Sequence, residues 1–342
     1  MDKIERKDYF DLRQRKEYAD GIERLINRRA MEMAESRRVR ILKGDKEKLR
    51  LEFINMLGWP LNIKDKKEYG KIRACTEKLS DFRGMKCTRY QLEVMPDLWF
   101  YGILYEPLLQ NAGKGFVIAS HGGSGSAEVV GGFLMDSANY NYMVERIVRH
   151  GVTVFAPQLL MWHREIYGTT SYDRNKTDIA LKQLGGGITA LEVFCISRSL
   201  DFFISDGCAA AGRIGIIGLS YGGMYTLAAA AADVRIAAAV SSCFFNDRLK
   251  YAWADWTYFN QAQSFLDAET AALILPRKLY IEIADKDETF AVDSAREEIK
   301  RLLDYAEAQK AGSSLKIKIF SGTHELDKSD GGIEFLVNAL CV

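Results

Sequence analysis

From residue 115 onward, short apolar runs alternate with longer stretches whose apolar residues recur at helical spacing. The runs 115–120, 152–157, 213–219, 235–242, 277–284 and 315–320 read as strands. The intervening stretches, about 137–150, 187–205, 222–232, 291–309 and 332–340, read as helices. Regular alternation of this kind marks a mainly parallel sheet with helices on both faces. Upstream, residues 71–107 hold strand-like runs broken by turn signals at Gly84 and Pro96-Asp97, so an antiparallel meander should form the first edge of the sheet. Still earlier, Ile22, Leu25, Ile26, Ala30 and Met33 fall at helical spacing within 17–41. Leu49, Phe53, Ile54 and Leu57 share one side of a second helix, about 45–57, which exits at Gly58-Trp59-Pro60. The expected class is therefore α/β, with an N-terminal helical extension (1–70) before the main unit (71–342). The two helices pack on the body or on a second copy of the chain, so a homo-oligomer stays open.

Two connections are too long for this rhythm. Residues 158–186 carry Trp162, His163, Tyr167 and Tyr172, and residues 244–276 carry Phe244, Phe245, Tyr251, Trp253, Trp256, Tyr258 and Phe259. Both leave the C-terminal ends of strands, where open α/β sheets bind ligands, and long loops there serve as lids or pocket walls. Trp162, Trp253 and Trp256 are the substrate-contacting candidates. The alternative is that these rings simply pack a cap onto the sheet.

The chemistry lies at these strand ends. Gly218-Leu219-Ser220-Tyr221-Gly222 follows the apolar run Ile214–Ile217 and precedes a small-residue helix. A strand, a tight turn with serine at its apex and a helix are what G-x-S-x-G needs to act as a nucleophile elbow. An attacking serine requires a base, an acid to orient the base, and donors for the oxyanion. Of the four histidines, His121, His150, His163 and His324, only His324 follows Ser220, on a loop after 315–320. Asp285, Asp287 and Glu288, after the strand 277–284, compete for the role of acid. His121-Gly122-Gly123 after 115–120 has the form of an oxyanion loop, in which the amide of Gly123 would pair with that of Tyr221. Gly122 and Ser124 are alternative donors, and His121 reads as a brace for the loop.

These residues resemble the α/β-hydrolase superfamily, specifically its dienelactone hydrolase and acetyl xylan esterase-like branch. Trp99–Pro107, Gly151–Pro157 and Met56–Pro60 look like further segments of that branch, and the resemblance spans roughly residues 90–342. It implies an α/β-hydrolase fold and a Ser-His-Asp triad, and the family's habit of spacing selects Asp287 over its neighbours. It further implies a serine esterase acting on short-acyl, acetyl-type esters. The related glucuronoyl esterases carry an arginine after the nucleophile; here Tyr221 stands there, which argues against uronate esters. Gly-x-Ser-Tyr-Gly-Gly also resembles prolyl oligopeptidase-type peptidases, which makes peptide or amide hydrolysis the second reading. A non-catalytic binding protein that kept the fold is the third, although no triad member or oxyanion glycine has been lost.

Composition narrows the setting. The chain has 342 residues and a formal net charge of +1, which gives no case for nucleic acid. Charges of both signs are interspersed near the N-terminus, as on a solvated helix face. No apolar signal segment or membrane span is visible. The six cysteines are scattered without metal spacing, no HExxH or Cys-x-x-Cys motif occurs, and buried thiols suit a reducing cytoplasm. The expected protein is a cytoplasmic enzyme acting on a small-molecule ester without cofactor or metal.

Overall fold

The computed structural model describes residues 2–108, 115–133, 135–162 and 172–340. Of the aromatic-loop residues, His163 and Tyr167 lie outside this set. Strands β1 (Arg73–Lys78), β2 (Met85–Met95) and β3 (Leu98–Pro107) make the expected antiparallel edge. β4 (Phe116–Ser120), β5 (Thr153–Pro157), β6 (Ile214–Leu219), β7 (Ile236–Ser242), β8 (Lys278–Ala284) and β9 (Leu315–Phe320) are mutually parallel. All join one sheet in the order β1-β2-β3-β5-β4-β6-β7-β8-β9, with β3 antiparallel to β5.

The parallel strands are apolar throughout because both faces are covered. β6 is buried at every position. Successive side chains point to opposite faces, so Phe116 and Ile118 of β4 enter one core while Val117 and Ala119 enter the other. The first core is closed by α2 (Lys46–Leu57), α6 (Ile188–Ser205), α7 (Tyr221–Ala232), α9 (Asp267–Ala272) and α10 (Val292–Ala308). The second is closed by α3 (Ala127–Gly131), α4 (Met143–Val148) and α11 (Gly331–Leu340). The order β5-β4-β6 means that successive connections leave β4 in opposite directions. The crevice at such a switch point lies beyond the C-terminal strand ends, and the functional loops emerge there.

Several elements differ from the sequence expectation. The first helix, α1, runs Asp2–Lys43, longer than 17–41. Its spaced residues Ile22, Leu25 and Ile26 are exposed, because this part of the helix extends beyond the body; firm burial begins only at Arg37 and Ile41. The 137–150 helix is broken into a short turn, Ala138–Tyr140, and α4, since Asn141 and Tyr142 adopt left-handed backbone angles between them. Inside 158–186 lies a helix that periodicity did not reveal, α5 (Arg174–Gln183), and the second long connection holds two short helices, α8 (Gln261–Ser264) and α9.

The first core contains a cluster of aromatic rings in which Phe203 packs at centroid distances of 4.9–5.4 Å against Phe155, Phe116 and Tyr90. Phe203→Ala should lower the unfolding free energy by about 3–5 kcal/mol. It should appear as a lower urea midpoint with an unchanged slope.

Candidate active site

Ser220 sits between β6 and α7 with φ 60° and ψ −123°. Non-glycine residues rarely adopt such angles, and holding them costs about 1–3 kcal/mol. The surroundings impose the turn. The Ser220 N–H donates to the Ser242 carbonyl at 2.9 Å, and the Ser220 carbonyl accepts from Met224 N–H at 3.0 Å. A Cβ on Gly222 would lie 2.1 Å from the Ser120 carbonyl oxygen, and one on Gly218 would lie 2.3 Å from Gly222. Both positions must therefore be glycine, and their absent side chains let the first turn of α7 press against the end of β4.

His324 and Ser220 line one cavity of about 490 Å³, together with Gly122, Gly123, Trp162, Tyr221 and Trp253. His324 Nδ1 lies 2.8 Å from Asp287 Oδ2. A carboxylate only accepts, so Nδ1 carries the proton and Nε2 keeps its lone pair. The Asp287 carboxylate is buried, and its other oxygen accepts from the N–H groups of Thr289 (2.8 Å) and Phe290 (3.0 Å). Asp285 acts elsewhere. Its carboxylate accepts the Gly322 N–H at 3.1 Å and ties the loop after β8 to the loop after β9. Two residues that the sequence reading missed hold the histidine loop from the opposite side. Asn139 donates its side-chain amide to the His324 carbonyl at 2.9 Å, and Asn141 donates to the Leu326 carbonyl at 2.6 Å and the Glu325 carboxylate at 3.0 Å. The left-handed Asn141 is the one local signal in the sequence, since asparagine tolerates such angles.

The loop after β4 is held rigidly. The Gly122 N–H donates to Tyr140 Oη at 2.7 Å and is thereby committed. Gly123 lies beneath the Trp162 ring, where a Cβ would come 3.4 Å from it. His121 is fully buried. Its Nε2 accepts the Leu159 N–H at 2.9 Å, so Nδ1 carries the proton and donates to the Gly122 carbonyl at 2.8 Å. Burial pushes its pKa down to about 4, partly offset by that hydrogen bond. His121 is a neutral strut between two strand ends.

One wall of the cleft is a stack of rings. Trp162 meets Tyr221 edge-on at 5.0 Å, and Trp253 packs on Tyr221 with the rings tilted by 32° at 5.8 Å. Trp256 is the exception among the three expected tryptophans. It is 1% exposed and backs Trp253 at 4.4 Å and 6°, so it supports the wall without lining the cavity. Behind Tyr221 lies a buried polar cluster absent from the sequence reading. Tyr221 Oη donates to Asp255 at 3.2 Å; Arg174 donates to Asp255 at 2.8 Å and to Tyr225 Oη at 2.9 Å, and pairs with Glu192 at 3.3 Å. Burial, followed by the Asp255 charge, pushes the Tyr221 hydroxyl well above its ordinary pKa, so it remains a donor. Beyond Ser124, Val129, Ala138 and Trp162, which also border the cleft, opens a larger, mainly apolar chamber of about 890 Å³. Among the described residues no group of three or more His, Cys, Asp or Glu side chains is arranged to hold a metal, and no helix is long and apolar enough to cross a membrane.

Residues 196–272 match the prolyl oligopeptidase family; the match includes Ser220 and ends before Asp287 and His324. No curated protein matches the chain in sequence. A glucuronoyl esterase from Solibacter usitatus superposes with TM-score 0.63 at 15% identity, covering 87% of this chain and 92% of that one. A Bacteroides fragilis protein assigned as an acetyl xylan esterase gives 0.64 at 13% identity over 85% and 81%. A CE15 esterase from a marine bacterial metagenome gives 0.57 at 13% identity over 87% and 91%. At these identities the likeness concerns the fold: the chain has the α/β-hydrolase fold.

The depressed His121 pKa makes stability depend on pH. The unfolded chain takes up this proton near 6.5 and the folded chain near 4, so the contribution is complete above about pH 6.5 and is lost as pH falls toward 4, on the order of 3 kcal/mol in all. Urea unfolding at pH 7.5 and 4.5 should show a smaller pH difference for His121→Gln than for the parent. Equal differences would mean that the buried imidazole does not resist protonation.

Proposed function

We propose that this protein is a serine hydrolase that cleaves carboxylic esters with short acyl groups. The observation that carries the reading is the strained Ser220, which shares one cavity with a histidine whose Nδ1 is engaged by a buried, doubly hydrogen-bonded carboxylate. In this reading His324 Nε2 takes the Ser220 proton as Oγ attacks the acyl carbon. Asp287 holds the imidazole tautomer and supports its positive charge. The amides of Gly123 and Tyr221 receive the oxyanion, and the commitment of Gly122 to Tyr140 supports Gly123 as the loop's donor. His324 then protonates the departing alcohol, and water activated by the same histidine releases the acid. The steps need no cofactor. Trp162 and Trp253 bound the substrate, a small-molecule ester. The five described cysteines are free, which supports a cytoplasmic setting.

Hydrolysis of an amide or peptide uses the same groups, and the match of residues 196–272 to the prolyl oligopeptidase family favours it as the second reading. An ester and an amide sharing one acyl group separate the two: faster turnover of the amide would overturn the ester assignment.

A fluorophosphonate should label Ser220 and no other serine, read by mass mapping of the adduct; an adduct elsewhere on folded protein sinks the assignment. Ser220→Ala should reduce kcat by about 10³- to 10⁶-fold. Asp287→Asn should reduce kcat by about 10³- to 10⁴-fold, because an amide cannot hold the same tautomer. Asp285→Asn should be far milder, and the reverse ranking would transfer the orienting role. Across p-nitrophenyl esters of increasing acyl length, kcat/KM should peak at the short end. A maximum at long or bulky acyl groups would instead assign the neighbouring chamber to the acyl chain.

A further inference from the structure

The ring wall of the cleft is anchored from an unexpected direction. Trp253 stacks on Trp256, and Trp256 contacts both Tyr221 (4.8 Å) and the Arg248 guanidinium, 4.6 Å over its ring. Arg248 is buried and donates to Asp267 at 2.6 Å. Asp267 belongs to α9, and so does Glu269. Glu269 is 1% exposed and pairs with Arg37 of α1, 2% exposed, at 3.3 Å. The same guanidinium donates to the carbonyl of Ala262 in α8. One turn further along α1, Arg40 reaches the carbonyls of Gln263 and Ser264 at 3.4 Å and lies 4.6 Å over the Phe265 ring. Phe53 of α2 meets that ring edge-on at 5.5 Å.

Carbonyls that end a helix have no partner within it, so α8, a four-residue helix, cannot hold its own end. Arg37 and Arg40 supply those partners from outside the hydrolase body. The buried Glu269 likewise depends on Arg37 for its counter-charge, because a buried carboxylate left without its cation is strongly destabilised. The connection between β7 and β8 that carries Trp253 and Trp256 is therefore fastened at its far end by the N-terminal helices.

We propose that the α1–α2 extension is a clamp on the substrate-facing wall, and that Arg37 is a positioning residue that sets the Trp253–Trp256 stack through Glu269, α9 and Arg248. This rests on the ester hydrolase reading only for its kinetic consequence. With the clamp removed, the wall shifts while Ser220, Asp287 and His324, which are held by β6, β8 and β9, stay in place. Discrimination between substrates should suffer and the chemistry should not.

The test uses the full chain carrying Arg37→Met with Glu269→Gln, a pair that removes both charges together and keeps one acceptor oxygen for the Leu266 N–H, while the amide NH2 donates to the Tyr305 hydroxyl. Arg37→Lys is the conservative comparison and Arg40→Ala the half-buried, milder one. The first measurement is far-UV circular dichroism, in which two stacked indoles give an exciton couplet. The second is kcat and KM for p-nitrophenyl acetate and benzoate. In the double variant the couplet should weaken and KM for the benzoate should rise roughly 2- to 30-fold. Acetate kcat and the rate of fluorophosphonate labelling should stay within about twofold. Arg37→Lys should recover part of both losses. An unchanged couplet, or an unchanged benzoate KM, in folded protein of the double variant overturns the proposal, as does an equal fall of kcat on both esters. If the parent hydrolyses neither ester, the ester reading fails and the clamp is judged on the couplet alone. Should the double variant not fold, Arg40→Ala carries the same two readouts, with the same outcomes deciding.

Discussion

The close approach of two backbones decides this structure. The first turn of α7 rests against the end of β4 with no side chain between them, which only glycine at 222 permits. From that contact the rest of the site follows. Ser220 is pressed into a strained turn and projects from the sheet. The loop after β4 arrives beside it because β4 and β6 are in register from Phe116/Ile214 to Ser120/Gly218. The cost of the strain, about 1–3 kcal/mol, is borne by two buried sheet faces and by hydrogen bonds that pin Ser220 to Ser242 and Met224. Relaxing the turn would require α7 to leave the sheet.

The remaining groups are held by polar contacts that differ in kind. Around His324 they are directional: a carboxylate fixed by two amides on one side, and two asparagine side chains holding the loop on the other. Behind Tyr221 they are ionic and buried, with Arg174 between Asp255 and Glu192. Buried ion pairs are weak contributors to net stability but costly to break singly. Their consequence here is positional. Tyr221 follows Ser220, its ring packs against both Trp162 and Trp253, and its hydroxyl is tied to Asp255. Arg174 is thus an internal support for an aromatic wall.

Much of the sheet was legible because its signals are local. Apolar runs such as Ile214–Leu219, bounded by turn residues, read as buried strands, and a serine between glycines after such a run marks a tight turn at a strand end. The candidate acid was harder to read: Asp285 and Asp287 lie two residues apart at the end of one strand, and only the family's spacing habit favoured one of them. In the structure they differ by what approaches across the sheet, the Gly322 amide for one and the His324 ring for the other. Residues whose roles depend on distant partners could not be read. Arg37, Arg174, Asp255 and Asn139 look like surface charges and loop amides until the fold brings Glu269, Tyr225, Tyr221 and the histidine loop to them. Helical spacing also misled in α1, where Ile22, Leu25 and Ile26 have no body beneath them. Periodicity shows which positions share a face but not what covers that face.

The central claim is that the elbow delivers a covalent intermediate on Ser220, and rapid-quench mass spectrometry during turnover of an activated ester measures that directly. The account predicts a peptide containing Ser220 that carries one acyl group within the first turnover and loses it when substrate is exhausted. Turnover with no acylated peptide at any quench time, or with the acyl group on another residue, would contradict it.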